Sequence, residues 1–398
     1  MKARNDFVRL IAFALFAMSA HSVRGENFNE YIVSDSPEPS QSVLVQSPDD
    51  LETLHSPMTM GGKSFASAQM HEDFSAVSAS NCCGTHGCNG NCRSSHAAEG
   101  WVNRLLSHCQ EKCHSWTAQV DALMLWQGNI PSRPLLNSSP GGVLALDANQ
   151  ARTQMGAGPR FGLFYNLDPC HSIEGNYFWT EGFDGEATVP TGSYAPVTMP
   201  NPPVPSNVSE ATLLTHGQFK SAELNWRWRN NEVLTWLLGF RWVEWNQAAR
   251  LSGLNGQGQP FLVDGLTGND LYGSQIGADL LFWDAGRRFR LNGIGKAGIY
   301  GNRAYQQASG TSNGVPQGPA NGFGNQVSFF GEVGVYGDIA ITRWLSWRTG
   351  YVVFWGTGMA LPAENLSLVN FGPPASAQIN ITESLLVHGV TTGLEARW

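Results

Sequence analysis

From residue 116 onward, apolar and polar residues alternate along the chain with a period of two, which is the pattern of a β-strand with two different faces. In the strand predicted at 222–228, Leu224, Trp226 and Trp228 lie on one face. Glu223 and Arg227 lie on the other face. About ten such segments follow one another to the end of the sequence. The pattern therefore predicts a chain that is almost entirely β-sheet over its last two-thirds.

The connections between these segments alternate between short and long. The short connections are predicted at 166–170, 229–232, 284–287 and 341–343, and the long ones at 127–155, 183–217, 246–269, 303–325 and 358–383. The long connections include Pro- and Gly-rich tracts at 190–205 and 310–324. An up-and-down barrel in an outer membrane has tight turns at one rim and long loops at the other. We therefore predict an all-β fold, an antiparallel up-and-down transmembrane β-barrel of about ten strands, with a range of 10–12.

The predicted strands are about 9–15 residues long, and a tilted strand needs roughly 9–11 residues to cross a membrane. The first three are predicted at 116–126, 157–166 and 171–182. Aromatic girdles are typical of membrane barrels, and the tryptophans near predicted turns or loops are Trp226, Trp228, Trp242, Trp245, Trp283, Trp344 and Trp355. The alternative is a soluble barrel or sandwich whose aromatic residues form a core.

Composition supports the membrane interpretation. Only 14% of the 398 residues are charged, against about 25% in a typical soluble domain. The mean hydropathy is mildly negative, which excludes a bundle of membrane helices. The net charge of −8 argues against nucleic acid as a partner.

Three segments precede the predicted barrel at 116–398. Residues 1–25 have the order of a signal peptide, with Lys2, Arg4 and Arg9 around the start of a short apolar run and small residues after it. Residues 26–98 have the composition of a disordered low-complexity segment. Residues 99–115 predict a short linker that contains Cys and His and has a brief helical pattern. We expect export to the bacterial outer membrane, with this N-terminal arm in the periplasm.

Cysteine and histidine residues cluster before the predicted barrel. The weak candidates for a metal site are Cys82, Cys83, His86, Cys88, Cys92, Cys109, Cys113 and His114. In an oxidising compartment, disulfides within the segment or between chains are the favoured interpretation. A Zn or Cu site is an alternative. The run from Cys109 to His114 is a stretched form of the CxxCH haem-attachment motif, and we expect no cofactor.

The last predicted strand alternates through Leu394, Ala396 and Trp398. Outer-membrane barrels characteristically end in such a strand with a terminal aromatic residue, and 116–398 resembles a bacterial outer-membrane barrel. It is similar in particular to the beta-barrel porin type-seven family, in the stretches WTAQVDALMLW at 116–126, ELNWRW at 223–228, LGFRWVEW at 238–245 and FGEVGVYGD at 330–338. The resemblance implies that the last strand is an insertion signal for the barrel-assembly machinery. It implies no catalytic residues.

The polar faces of the strands predict which charges lie inside the barrel. They are Glu223, Arg227, Arg241, Asp279, Arg290, Lys296, Glu332, Asp338, Arg348, Glu395 and Arg397. Opposite charges inside a narrow barrel are expected to pair, because unpaired buried charge is costly. Pairing is favoured here over a selectivity filter. We predict a structural or surface-exposed barrel with a largely filled interior, the alternative being a narrow porin-like diffusion channel for small solutes. A secreted, soluble, glycan-binding β-protein is a third possibility.

The sequence does not predict an enzyme. None of the GxSxG, HExxH, P-loop or dinucleotide motifs stands where the predicted strands would support it. Ser384 and His388 share a strand face, but a separation of four residues is about 13 Å along a strand, too far for a hydrogen bond. The oligomeric state and any ligand of the loops are left open by the sequence.

Overall fold

The computed structural model describes residues 115–128, 130–197, 203–286 and 288–398. The strands are β1 Trp116–Gln127, β2 Pro134–Ser138, β3 Leu144–Asp147, β4 Gly156–Asn166, β5 His171–Glu181, β6 Gly185–Val189, β7 Tyr194–Pro196, β8 Val208–Arg229, β9 Leu234–Asn255, β10 Pro260–Asp284, β11 Phe289–Ser312, β12 Val315–Ala340, β13 Leu345–Met359, β14 Val369–Asn370, β15 Ser376–Ala377 and β16 Glu383–Arg397. A short helix α1 spans Pro362–Asn365, and 3-10 turns span Ala148–Gln150 and Leu366–Leu368. Among these residues, none of the helices combines the length and apolar character needed to span a membrane. The segments predicted at 1–25 and 26–98, and all but the last residue of 99–115, lie outside the described residues.

A ring of ten strands closes on itself, as the sequence predicts. Its order is β1, β4, β5, β8, β9, β10, β11, β12, β13, β16 and back to β1, and every neighbouring pair is antiparallel. At the seam, the backbone N–H of Trp116 donates to the carbonyl of Trp398 at 2.9 Å, and the reverse bond is 3.0 Å. In the closed ring every strand is paired on both sides, so the ring itself leaves no backbone edge without hydrogen-bond partners.

One end of the barrel, called here the turn end, carries the four short connections that the alternation predicts. Short turns join four pairs of strands there: β4 and β5, β8 and β9, β10 and β11, and β12 and β13. Trp116, the first residue of β1, and Trp398 also meet at this end. The opposite end is called the loop end. It carries three long connections, between β1 and β4, between β5 and β8, and between β13 and β16.

Two of the predicted long connections are wrong. β9 and β10 run through 246–269 and meet at a turn after Asn255, and β11 and β12 run through 303–325 and meet at a turn that contains Asn313 and Gly314. The Gly-rich tract at 310–324 therefore lies mostly in paired strands. Stretches rich in polar residues and glycine are typical of loops, but here they extend the hydrogen-bonded strand pairs of β9 to β12.

The ring has a short side and a tall side. The strands β1, β4, β5, β13 and β16 contain 11 to 15 residues, within or close to the predicted length. The strands β8 to β12 contain 22 to 26 residues, so the predicted length is wrong for these five. Their loop-end halves form a curved wall, and β6 and β7 pair with β8 at one edge of it.

The loops pack on the inner face of this wall around an aliphatic cluster. Leu135, Leu146 and Val189 come from the loops, and Leu251 and Val263 come from the wall. All five are buried. The loop end is therefore a packed head with its own core rather than a set of loose connections.

Candidate functional site

The outer face of the ring is apolar on the residues that alternation assigns to it. Leu224, Leu238, Ile276 and Val333 are all exposed, and Leu238 is 61% exposed. Many Trp, Tyr and Phe side chains share this face, including Trp226, Trp236, Phe240, Tyr272, Phe282, Trp347 and Tyr351. Exposed apolar surface of this extent marks an interface, and on all sides of a closed barrel that interface is a lipid bilayer.

The apolar outer face of β8 to β11 ends at one row of charged residues. Lys220 stands opposite Glu244, Glu244 opposite Asp270, and Asp270 opposite Arg303. The Lys220 Nζ and the Glu244 Oε1 are 3.2 Å apart. Beyond this row the outward positions are mainly polar, as at Asn246. The tall wall therefore continues beyond the apolar belt.

The barrel interior contains a charged cluster whose members reach across it. Glu332 on β12 accepts a hydrogen bond from the Arg241 Nη1 at 2.8 Å and from the Arg160 Nη2 at 3.2 Å. Arg160 lies on β4, four strands away from β12 around the ring. The Lys296 Nζ on β11 lies 3.2 Å from the Glu174 Oε1 on β5, which is also four strands away.

The rest of this cluster completes the charge balance. Lys296 also pairs with Glu223, and Arg227 bridges Glu174 and Asp279. Four acids therefore face four bases: Glu174, Glu223, Asp279 and Glu332 against Arg160, Arg227, Arg241 and Lys296. Each charge has a partner of opposite sign, as burial requires.

An aromatic layer lies directly on the loop-end side of the charged cluster. The rings of Phe219 on β8 and Phe354 on β13 are 5.3 Å apart in an edge-to-face contact, although five strand steps separate these strands around the ring. Phe178 and Phe330 also contact this pair. The Arg241 guanidinium lies 5.1 Å from the centre of the Phe330 ring and so joins the two layers.

A third layer of amide side chains holds the chain that follows β13. The Asn269 Nδ2 donates to the carbonyl of Ala360 at 2.8 Å, and the Asn302 Nδ2 donates to the carbonyl of Gly358 at 2.8 Å. The backbone N–H of Ala360 donates in turn to the Asn269 Oδ1 at 2.7 Å. These bonds fix the segment before α1 inside the barrel, because they replace the water that its backbone would otherwise need.

The structure places the predicted interior charges as follows. Glu223, Arg241, Lys296, Glu332, Asp338 and Glu395 are buried, and Arg227, Asp279, Arg290, Arg348 and Arg397 are partly buried. The first four belong to the central cluster, together with Arg227 and Asp279. The others form a second group nearer the turn end, where Glu395 pairs with Arg397 and lies 3.9 Å from the Arg290 Nη2.

Three interior charges were not predicted as such. Asp121, Arg160 and Glu174 are buried and lie on β1, β4 and β5. Their strands have a weaker alternation, yet the signal was present. Glu174 lies between Ser172 and Asn176 at every second position, and these are the inward positions of β5.

One of the predicted girdle tryptophans is placed wrongly by the sequence interpretation. Trp245 is fully buried in the aromatic layer, where its ring lies 5.7 Å from that of Phe219. It is an even number of residues from Arg241 on β9, so period-two geometry turns both inward. Nearness to a predicted loop end was a misleading criterion, because β9 continues beyond Trp245 to Asn255.

A small cavity of about 30 Å³ lies where the loops meet the loop end of the barrel. Its walls include Leu213, Ala249 and Leu361, with Glu364 and Glu383 also at its lining. Arg133 forms ion pairs with both of these glutamates. A volume of this size holds a few waters and is well below that of a typical ligand pocket.

The turn end carries an exposed Asp and His pair between β4 and β5. The His171 Nδ1 lies 2.9 Å from the Asp168 Oδ2, and the backbone N–H groups of Cys170 and His171 donate to the Asp168 Oδ1 at 2.8 Å. The hydrogen bond from His171, followed by that from the Cys170 backbone, lowers the pKa of Asp168. Cys170 is disulfide-bonded. The turn is therefore fixed by hydrogen bonds and a covalent bond.

The predicted Cys and His candidates for a metal site, from Cys82 to His114, lie outside the described residues. Within the described ranges, no group of three or more Cys, His, Asp or Glu side chains is arranged to hold a metal ion. On β16, Ser384 and His388 do not meet: the His388 Nδ1 lies 2.7 Å from the Tyr351 hydroxyl on the outer face.

No family model matches the chain, and no curated protein matches it either. Among solved structures, it is similar to the outer-membrane protease OmpT from Escherichia coli, with 10% identity, a TM-score of 0.40, and coverage of 73% of this chain and 99% of that one. It is also similar to the Pseudomonas putida toluene transporter TodX, with 8% identity, a TM-score of 0.31, and coverage of 71% and 89%. The Ralstonia pickettii toluene transporter TbuX shows 9% identity, a TM-score of 0.28, and coverage of 76% and 93%.

The fold is that of an outer-membrane β-barrel. The closed antiparallel ring and its apolar outer face establish this in the structure itself, and at these low identities no activity or ligand passes from the similar proteins to this chain. The resemblance to the beta-barrel porin type-seven family stays a prediction. This outer-membrane barrel differs from a simple ring in its tall wall, its packed head and its three interior layers.

Proposed function

We propose that this chain is a structural, surface-exposed outer-membrane barrel whose interior is filled and does not conduct. The contact between Phe219 and Phe354 carries the proposal. Two side chains from opposite sides of the ring cannot touch around an aqueous channel at that level. The ion pairs from Arg160 to Glu332 and from Lys296 to Glu174 cross the barrel at a second level.

The turn end faces the periplasm in this proposal, and the packed head faces the exterior. The support is the arrangement of connections, because barrels of this type have short turns on the periplasmic side and long loops outside. The N-terminal arm would then lie in the periplasm, since Ser115 precedes β1 at the turn end. The barrel-assembly machinery would read the last strand through Leu394, Ala396 and Trp398.

Conductance measurements on the refolded full chain test the filled interior. We expect silent recordings in planar bilayers, with folding verified by the shift in gel mobility on boiling. A steady open-state conductance of the unmodified protein would show that the barrel is a diffusion channel for small solutes, and the proposal would be wrong.

A matched pair of variants guards against protein that simply fails to insert. Combining Phe219→Ala and Phe354→Ala opens the aromatic layer alone, and the charged cluster beneath it should keep the recordings silent. Adding Arg241→Ala and Lys296→Ala removes two side chains that cross the second layer. This fourfold variant keeps the amide layer and the packed head, so it should gain at most a small conductance. The shift in gel mobility on boiling verifies for each variant that the recorded protein is folded.

The barrel is also proposed to be non-enzymatic. The support is the placement of its candidate nucleophile and base, since Ser384 is exposed on the outer face and His388 is held by Tyr351. We expect no turnover of peptide or lipid-ester substrates by the refolded protein. Turnover that is lost in Ser384→Ala or His388→Ala would overturn this part of the proposal.

A further inference from the structure

The tall wall has two edges at the loop end, and the structure treats them differently. On the β8 edge, β6 pairs with β8 from Gly185 opposite Thr215 to Val189 opposite Ala211. On the other edge, β12 pairs with β13 only from Phe329, opposite Thr357, toward the turn end. β13 then ends at Met359, and Ala360 turns into the interior. In the described parts of the chain, no strand pairs with this side of β12 over 315–328.

An open strand edge presents backbone N–H and C=O groups at every second residue. Natural proteins usually protect such an edge with proline, charge or a covering segment. Pro316 and Pro319 protect its outermost part, because proline has no N–H to donate. The stretch 320–328 contains neither proline nor any charged residue, and it spans about 30 Å.

The same stretch exposes two large apolar side chains on its outer face. Phe323 is 80% exposed and Val327 is 72% exposed, the highest values among the exposed large hydrophobic residues. On the inner face, the chain after β15 packs close to the edge, since a Cβ on Gly324 would lie 2.7 Å from the Ile381 side chain and 2.8 Å from that of Ile379. Among the described residues, this edge is therefore packed on its inner face and is not paired by a neighbouring strand.

We propose that 320–328 of β12 is a docking site for an extended, uncharged polypeptide strand with apolar side chains at alternate positions. Only another extended backbone offers donors and acceptors at the repeat of a strand edge. No charged residue lies within 320–328, and the neighbouring Arg303, opposite Asn325, already stands opposite Asp270 on its other side. Phe323 and Val327 offer apolar contacts to an uncharged partner. The partner would pair with the free edge of β12 as β6 pairs with β8 at the opposite edge of the wall.

The geometry excludes a second copy in the same membrane as this partner. Strands of a membrane barrel are tilted by about 35–45°. Two copies related by an axis along the membrane normal would therefore cross their β12 edges at roughly 80°, which prevents strand pairing. The proposal does not depend on whether the barrel conducts, so its failure is distinguishable from failure of the proposed function.

The test uses the refolded full chain and a fluorescent synthetic peptide of alternating Val and Thr. We expect anisotropy to report binding with a Kd of about 10–100 µM. The same peptide with alternate amides N-methylated lacks the N–H donors, and it should bind at least tenfold more weakly. Equal binding of the two peptides, or no binding of the first, would overturn the proposal.

Matched variants locate the site. Asn321→Lys with Asn325→Lys places charge on the open edge and should weaken peptide binding about tenfold. Ala248→Lys with Ser252→Lys places the same two charges at the same spacing on the outer face of β9, which is paired on both sides and lies away from this edge, and should leave binding unchanged. A photoreactive phenylalanine at position 323 should link to the peptide. If it links only to lipid, Phe323 faces the bilayer and the docking site does not exist.

Discussion

Phe219 and Phe354 touch edge to face with ring centres 5.3 Å apart, although their strands lie on opposite sides of the ring. Phe354 is buried and Phe240 is exposed on the outer face. Phe354→Ala should reduce the free energy of unfolding by about 3–5 kcal/mol, because it leaves a cavity in a packed layer. Phe240→Ala should cost clearly less. Urea unfolding from lipid vesicles measures both, and equal costs would argue against a packed aromatic layer.

Glu332 neutralises both Arg160 and Arg241. Glu332→Gln leaves two buried guanidinium groups with one acid fewer between them, so it should destabilise the barrel by about 3–5 kcal/mol. Combining it with Arg241→Met should cost less than the two single changes together, because the variants share one interaction. The double-mutant cycle gives this difference from equilibrium unfolding. Simple additivity would show that the charges act independently.

Leu238 and Asn246 both face outward on β9, on either side of the charged row at Glu244. Leu238→Arg should cost about 2–4 kcal/mol if Leu238 lies near the bilayer midplane, because arginine there must lose its water. Asn246→Arg lies beyond the belt and should be nearly neutral. Val333→Arg on β12 repeats the test on another strand. Undisturbed folding of Leu238→Arg into vesicles would contradict the assignment of this face to lipid.

His171 lowers the pKa of Asp168 by a hydrogen bond in the turn between β4 and β5. Because the pKa of Asp168 is lower in the folded protein than in the unfolded chain, the ionised carboxylate stabilises the turn fully at pH values above the unfolded pKa. That contribution is lost as the pH falls through the folded pKa, which lies below the ordinary value of an aspartate. His171→Ala should therefore move the Asp168 titration upward in NMR spectra. Titration of Asp168 that is unchanged by the substitution would show that the His171 contact is absent.

The sequence predicts the ring well because one physical rule controls it. One face of each ring strand contacts lipid and the other faces the barrel interior. Leu238 and Arg241 are an odd number of residues apart on β9, so the alternation alone assigns them to opposite faces. That rule fails where the lipid ends. Above the row at Glu244 both faces of the wall contact polar surroundings or loops, alternation weakens, and 246–269 resembles a loop although it is strand.

The interior is harder to predict than the ring. Parity shows that Glu332 points inward but not that Arg160, four strands away, is its partner, because the partner depends on the register of every strand between them. The same limit applies to the aromatic layer. Phe219 and Phe354 each follow their strand pattern, and only closure of the ring brings them together.

The ion pairs inside the barrel have a consequence for biogenesis. Arg160 and Glu332 are 172 residues apart in the chain, and Lys296 and Glu174 are 122 apart. Before the ring closes, each of these charged side chains lacks its partner and must remain hydrated. An incomplete sheet would therefore keep a hydrated, charged inner face, which is unfavourable in contact with lipid. Pairing of the final strand would close the ring and exclude water from both ion pairs in one step.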